Sequence, residues 1–144
     1  MKNKFGLGIL FVSTAFFAAC GSDSSSSSNS IPVDEVSCSV KQKSNNVEKT
    51  EIVMGMKTVS TYTFDGDSLV ISSVMTFGSV WDATTINATC ENQKTDTEAT
   101  VTCESDKITV VTKEKTLLNN DLTLLEMDQK AECDDFMDTY EEAE

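Results

Sequence analysis

From Val33 onward the chain runs in short alternations of apolar and polar residues. Val36, Cys38 and Val40 point one way and Glu35, Ser37, Ser39 and Lys41 the other, the period of two of a half-buried strand with Cys38 on its core side. Ser44-Asn45-Asn46 reads as a turn. Glu51 to Phe64, "EIVMGMKTVSTYTF", is a second extended stretch in which Gly55 predicts a bulge. Asp65-Gly66-Asp67-Ser68 lies between Tyr62-Thr63-Phe64 and Leu69-Val70-Ile71, and an Asp-Gly step between β-prone runs predicts a hairpin. Gly78 closes that third strand. Ala99, Val101 and Cys103 alternate with Thr100 and Thr102, Ser105-Asp106 turns the chain, and Ile108 to Val111 returns as the other arm of a second hairpin.

Two segments carry helical signals. Leu118, Leu122, Leu125, Gln129, Cys133, Phe136 and Tyr140 recur every three or four positions, one face of a helix, with Thr123 and Glu126 as a capping box. Ser79-Val80-Trp81-Asp82 has the same capping-box form and predicts a helix over Val80 to Gln93. Thr84, Thr85, Ile86 and Thr89 are poor helix formers, so a strand is the competing assignment there. The expected fold is α+β: an antiparallel sheet of about five strands packed against the carboxy-terminal amphipathic helix and a second short helix.

Four cysteines fall in this region, at Cys38, Cys90, Cys103 and Cys133. An even number without a Cys-x-x-Cys step reads as two disulfides, for which three pairings are possible. The short connection at Thr95 to Thr97 keeps Cys90 near Cys103. Cys133, in the middle of the apolar helix face, needs a core-facing partner, and Cys38 qualifies.

Composition narrows the chemistry. The 144 residues include no His and no Arg. This excludes Ser-His-Asp and Cys-His catalysis, imidazole zinc sites and bidentate arginine clamps. Acidic pairs remain as the one route to hydrolysis, in the manner of glycosidases. With 24 acids against 11 lysines, repulsion of phosphate backbones argues against nucleic acid as a partner. No cofactor is expected.

Three features invite functional readings. Asp65, Gly66 and Asp67 look like the start of a calcium loop, but Ser68-Leu69-Val70 lacks the later oxygen ligands, so no metal site is expected and a solvated turn is the reading. Trp81 is either a ligand-stacking ring or core packing, with packing favoured. The acidic end, "ECDDFMDTYEEAE", at helical spacing reads as a solvated helix face rather than a docking tail.

The amino terminus is different in kind. Lys2 and Lys4 precede an uncharged apolar run, Phe5 to Ala19, too short to span the roughly 30 Å of a bilayer core and laid out as a signal peptide, residues 1–19. Cleavage after Ala19 in the ordinary manner would place Phe17 where a small residue belongs. Phe17-Ala18-Ala19-Cys20 instead resembles the lipobox of bacterial lipoproteins. The resemblance implies that Cys20 is alkylated with diacylglycerol, becomes the first mature residue and is acylated on its amine. Two or more acyl chains hold a protein on a membrane, and Gly21 to Ser30, with its serine tract, is a flexible tether within residues 20–32. Residues 33–144 then form one small domain. The mature chain keeps nine lysines against the 24 acids, a formal charge of −15.

These features lead to the expectation of a lipid-anchored envelope lipoprotein, a non-enzymatic binding or scaffolding module whose ligand, protein or glycan, is unspecified. Its membrane partner is reached through the acyl chains on Cys20, and Gly21-Ser22, without an Asp after the cysteine, favours the outer membrane. The alternatives are a carboxylate-dependent hydrolase of envelope or extracellular glycans, with two carboxyls flanking an open cleft, and a calcium-dependent binder.

Overall fold

A computed structural model describes residues 31–141. Strands β1 (Ser37–Gln42), β2 (Val47–Val53), β3 (Met56–Asp65), β4 (Ser68–Phe77), β5 (Thr100–Cys103) and β6 (Lys107–Lys115) form one antiparallel sheet in the spatial order β1-β2-β3-β4-β6-β5. Helix α1 (Ala83–Gln93) joins β4 to β5, and helix α2 (Leu122–Glu141) follows β6. Both helices pack on one face of the sheet, giving a two-layer α+β domain.

The sheet has six strands where about five were expected, because Glu51 to Phe64 is not one strand with a bulge. Met54 and Gly55 are the two central residues of a hairpin turn, both with positive φ (52° and 74°), the requirement of a type I′ turn. β2 extends back to Val47, and β1 and β2 pair from Ser37 opposite Ile52 to Gln42 opposite Val47. The Asp65–Ser68 hairpin forms as expected, with Gly66 at φ 62° as the first of its two loop residues.

The Met54-Gly55 turn docks on the start of α1. Gly78 N–H donates to Gly55 O at 2.8 Å, and a Cβ on Gly78 would stand 2.7 Å from that carbonyl oxygen. The Trp81 indole N–H donates to Met54 O at 3.0 Å, its ring meets Phe77 edge-on at 5.3 Å, and the residue is buried. Ile31 and Val33 pack over Gly78 and Gly55. The first described residues therefore lie at this corner.

Residues 83–93 are helical despite their threonines. The cap is Asp82, whose carboxylate accepts from Thr85 N–H at 2.7 Å, not Ser79 three residues earlier as the capping-box reading had it. Thr89 spends its hydroxyl on Thr85 O at 2.9 Å, and Ile86, Thr89, Cys90 and Gln93 are buried. α2 is capped in the same way. Asp121 accepts from Thr123 and Leu124 N–H groups at 3.0 and 3.1 Å, so the cap precedes the expected Thr123. The anticipated apolar face is the one that turns inward, with Leu125, Gln129 and Cys133 buried.

The covered face of the sheet holds two apolar clusters. One gathers Val53, Met56, Met75, Phe77, Trp81, Ile86, Cys90 and Ile108 at the Met54-Gly55 end; the other gathers Val47, Tyr62, Leu69 and Leu125 at the opposite end. Between them the inward positions are polar. Lys49 is paired with Ser60, Ser60 with Ser73, and Glu51 with Thr58, so a polar belt crosses three strands.

Candidate functional site

The belt is the chemically distinctive part of the domain. Alternation along β2 turns Val47, Lys49, Glu51 and Val53 to the same face, and α2 closes over them. Lys49 and Glu51 are 1% and 5% exposed, which is exceptional for these residue types. The Lys49 Nζ donates to Glu132 Oε2 at 2.8 Å, lies 3.8 Å from Glu51 Oε1, and stands 5.7 Å from the centre of the Tyr62 ring. Two carboxylates thus share one ammonium. Ser60 and Ser73 hydroxyls bond to each other at 2.8 Å beside them, and Gln129, fully enclosed, has its Oε1 without a hydrogen-bond partner among the described residues.

Electrostatics follow from this enclosure. Burial pulls the Lys49 pKa down, but Tyr62, Glu51 and Glu132 outweigh it and hold the ammonium charged above its ordinary range. Burial pushes Glu51 up, against the pull of Lys49 and with the help of Glu132. Tyr62 is pushed up to about 12, chiefly by burial. A firmly charged lysine is a poor nucleophile and a poor base, and through Lys49 the arrangement fastens β2 to α2.

The disulfide Cys38–Cys133 lies next to this clamp, since Cys38 pairs with Glu51 across β1 and β2 and Cys133 follows Glu132. Cys90–Cys103 ties α1 to β5. Both expected pairings are present. Cys20 lies outside the described residues. Asp65 and Asp67 sit in the β3–β4 turn with their carboxylates on Lys113 and Lys115, and no group of three or more metal-ligating side chains converges among the described residues. Trp81 is core. The acids of α2 lie mostly on its outer side, as Asp134, Asp135, Asp138 and Glu141 show by their exposure.

Lys49, Glu51 and Glu132 escaped sequence reasoning, whereas Gln129 was placed on the inward helix face. The signal was available in "VEKTEIV", where strict alternation sets a lysine and a glutamate in phase with Val47 and Val53. A shallow groove of about 220 Å³ lies at the far end of α2, lined by Asp34, Val36, Met137, Tyr140 and Glu141. It falls below the roughly 300–1,000 Å³ of small-molecule sites. Comparison with protein-family models, with curated proteins and with solved structures found no match to the chain.

Proposed function

We propose that the chain is a lipid-anchored lipoprotein of the bacterial cell envelope, its domain a non-enzymatic binding or scaffolding module carried on the outer membrane. The observation that carries this reading is the division of the five cysteines. Cys38, Cys90, Cys103 and Cys133 are spent on two disulfides, which leaves Cys20 outside both and at the end of the lipobox-like Phe17-Ala18-Ala19. Disulfides belong to exported domains, which is where a lipobox delivers a protein. The non-enzymatic part draws support from the belt. Glu51 and Glu132 converge on Lys49 beneath α2 rather than on a cleft, and the groove that Asp34 and Glu141 line holds about 220 Å³, below the roughly 300–1,000 Å³ of small-molecule sites.

Metabolic labelling with a palmitate analogue in the native host tests the anchor. Wild-type protein takes up label and Cys20→Ser does not; equal incorporation by the two overturns the reading. Intact mass adds a second readout, because the mature species carries the mass of its acyl groups on a chain that begins at Cys20.

A further inference from the structure

The formal charge of the chain conceals a segregation that the fold creates. The uncovered face of the sheet carries Lys41, Lys57, Lys107, Lys113 and Lys115, against Glu48, Asp65 and, from the β3–β4 turn, Asp67, with Lys113 paired to Asp65 and Lys115 to Asp67. Between the lysines stand Ile52, Val59, Val70, Val74 and Val111, each only partly buried, among threonines and serines. No described residue covers this face. Lys41, Lys57 and Lys107 form no ion pair among the described residues.

The outer side of α2 is the complement. Leu124 and Met127 are 47% and 62% exposed and, with Ala131, form a stripe at helical spacing. Asp128, Asp134, Asp135 and Asp138 border it. Dimensions agree as well, for 20 helical residues span roughly 30 Å and six strands roughly 25 Å.

We infer that these two surfaces are made for each other: α2 of one copy lays its Leu124–Met127–Ala131 stripe along the valines of the open sheet face of a second copy, its aspartates meeting that copy's lysines. The contact is heterologous, so it propagates from copy to copy rather than closing as a two-fold pair. Net repulsion between like chains acts over a Debye length of about 8 Å, whereas apposed faces interact at contact, and this lets local complementarity prevail. A single helix leaves a small footprint, so the contact is weak in free solution. The inference gives the scaffolding reading its partner but stands on the folded domain alone, and it survives loss of the anchor.

Sedimentation velocity on the mature chain carrying Cys20→Ser, which stays in solution, tests it. Wild type shows average mass rising with concentration below roughly 1 mM, the range in which weak contacts register. Asp134→Lys with Asp138→Lys, and separately Lys57→Glu with Lys107→Glu, each shift that rise to at least tenfold higher concentration with the melting temperature kept. Mixing the two variants restores it. The helix variant is the decisive one, because it lowers the net charge and would associate more strongly if the contact were nonspecific. A wild type that stays monomeric, a helix variant that associates as well as wild type, or a mixture that fails to associate overturns the inference. So does a monomeric chain whose α2 stripe captures a synthetic cationic amphipathic peptide, which would put a different occupant there.

Discussion

The Lys49 ammonium and the Glu132 carboxylate meet at 2.8 Å although 83 residues separate them, and Lys49 is all but sealed from solvent. Removing one partner of such a pair strands the other charge in the interior, at a cost of about 3–5 kcal/mol. Lys49→Ala leaves Glu51 and Glu132 facing each other without a cation and is expected to destabilise the domain by that amount. Lys49→Met combined with Glu51→Leu and Glu132→Gln removes the whole clamp and should cost far less, because nothing charged remains uncompensated. Urea titration of the three proteins checks the order; equal losses in single and triple variants would contradict it.

Glu51 gives the clamp a pH dependence of definite sign. Its folded-state pKa lies above its ordinary value because burial disfavours the carboxylate. Its contribution to stability is therefore fully present below the unfolded-state value and is lost as pH rises through the raised folded one. Glu51→Gln, which imitates the neutral acid, should match wild type at acid pH and exceed it in stability toward neutrality. Asp67 and Asp82 act in the opposite sense. Hydrogen bonding to Lys115 lowers the first and the Thr85 N–H lowers the second, so their contributions hold above the unfolded value and fade as pH falls. Melting temperatures of wild type and Glu51→Gln across the acid-to-neutral range test the difference, and a gap that narrows as pH rises would refute it.

The two disulfides differ in the loops they close. Cys38–Cys133 joins residues 95 apart in sequence and Cys90–Cys103 residues 13 apart. On the chain-entropy model closing the longer loop stabilises by about 4–5 kcal/mol and the shorter by about 3. Cys38→Ser with Cys133→Ser should therefore cost more than Cys90→Ser with Cys103→Ser. It also unfastens α2 beside the Lys49 clamp, so hydrogen exchange should rise along α2 in the first double variant and along α1 and β5 in the second.

How far the sequence foretold this fold depends on the range of the interactions involved. The α2 face, the Asp65–Ser68 hairpin and the Cys90–Cys103 pairing were legible because spacing within one segment determines them, and Cys38–Cys133 followed because periodicity in two separate segments puts both cysteines on core-facing sides. Two errors at α1 and α2 were small ones, a cap assigned to Ser79 or Thr123 when Asp82 and Asp121 hold it, since several side chains in a row can accept the same N–H groups. The Met54-Gly55 turn was hidden because methionine rarely adopts a positive φ, and here Trp81, Gly78 and Val80 hold it from another part of the chain. Lys49 and Glu51 were illegible for a similar reason. A charged residue reads as exposed until a partner is known, and Glu132 arrives from the far end of the sequence.

That corner gives the last test. A Cβ on Gly78 would stand 2.7 Å from Gly55 O, a backbone atom already fixed by its bond to Gly78 N–H. At Gly55 a Cβ would stand 2.8 Å from Val80 Cγ2, with φ at 74°. Val80 is a side chain and has some freedom to give way, whereas a carbonyl in a hairpin turn does not. Gly78→Ala must therefore part the β2–β3 turn from the start of α1, and with it the Trp81 bond to Met54 O. Gly55→Ala keeps that bond and bears the unfavourable φ instead, a strain of about 1–3 kcal/mol. Both substitutions should destabilise, Gly78→Ala the more, and only Gly78→Ala should shift the Trp81 fluorescence toward that of a solvated indole while the protein is still folded. An unshifted spectrum in Gly78→Ala would mean that the turn and the helix move together and that the close approach is not what seats Trp81.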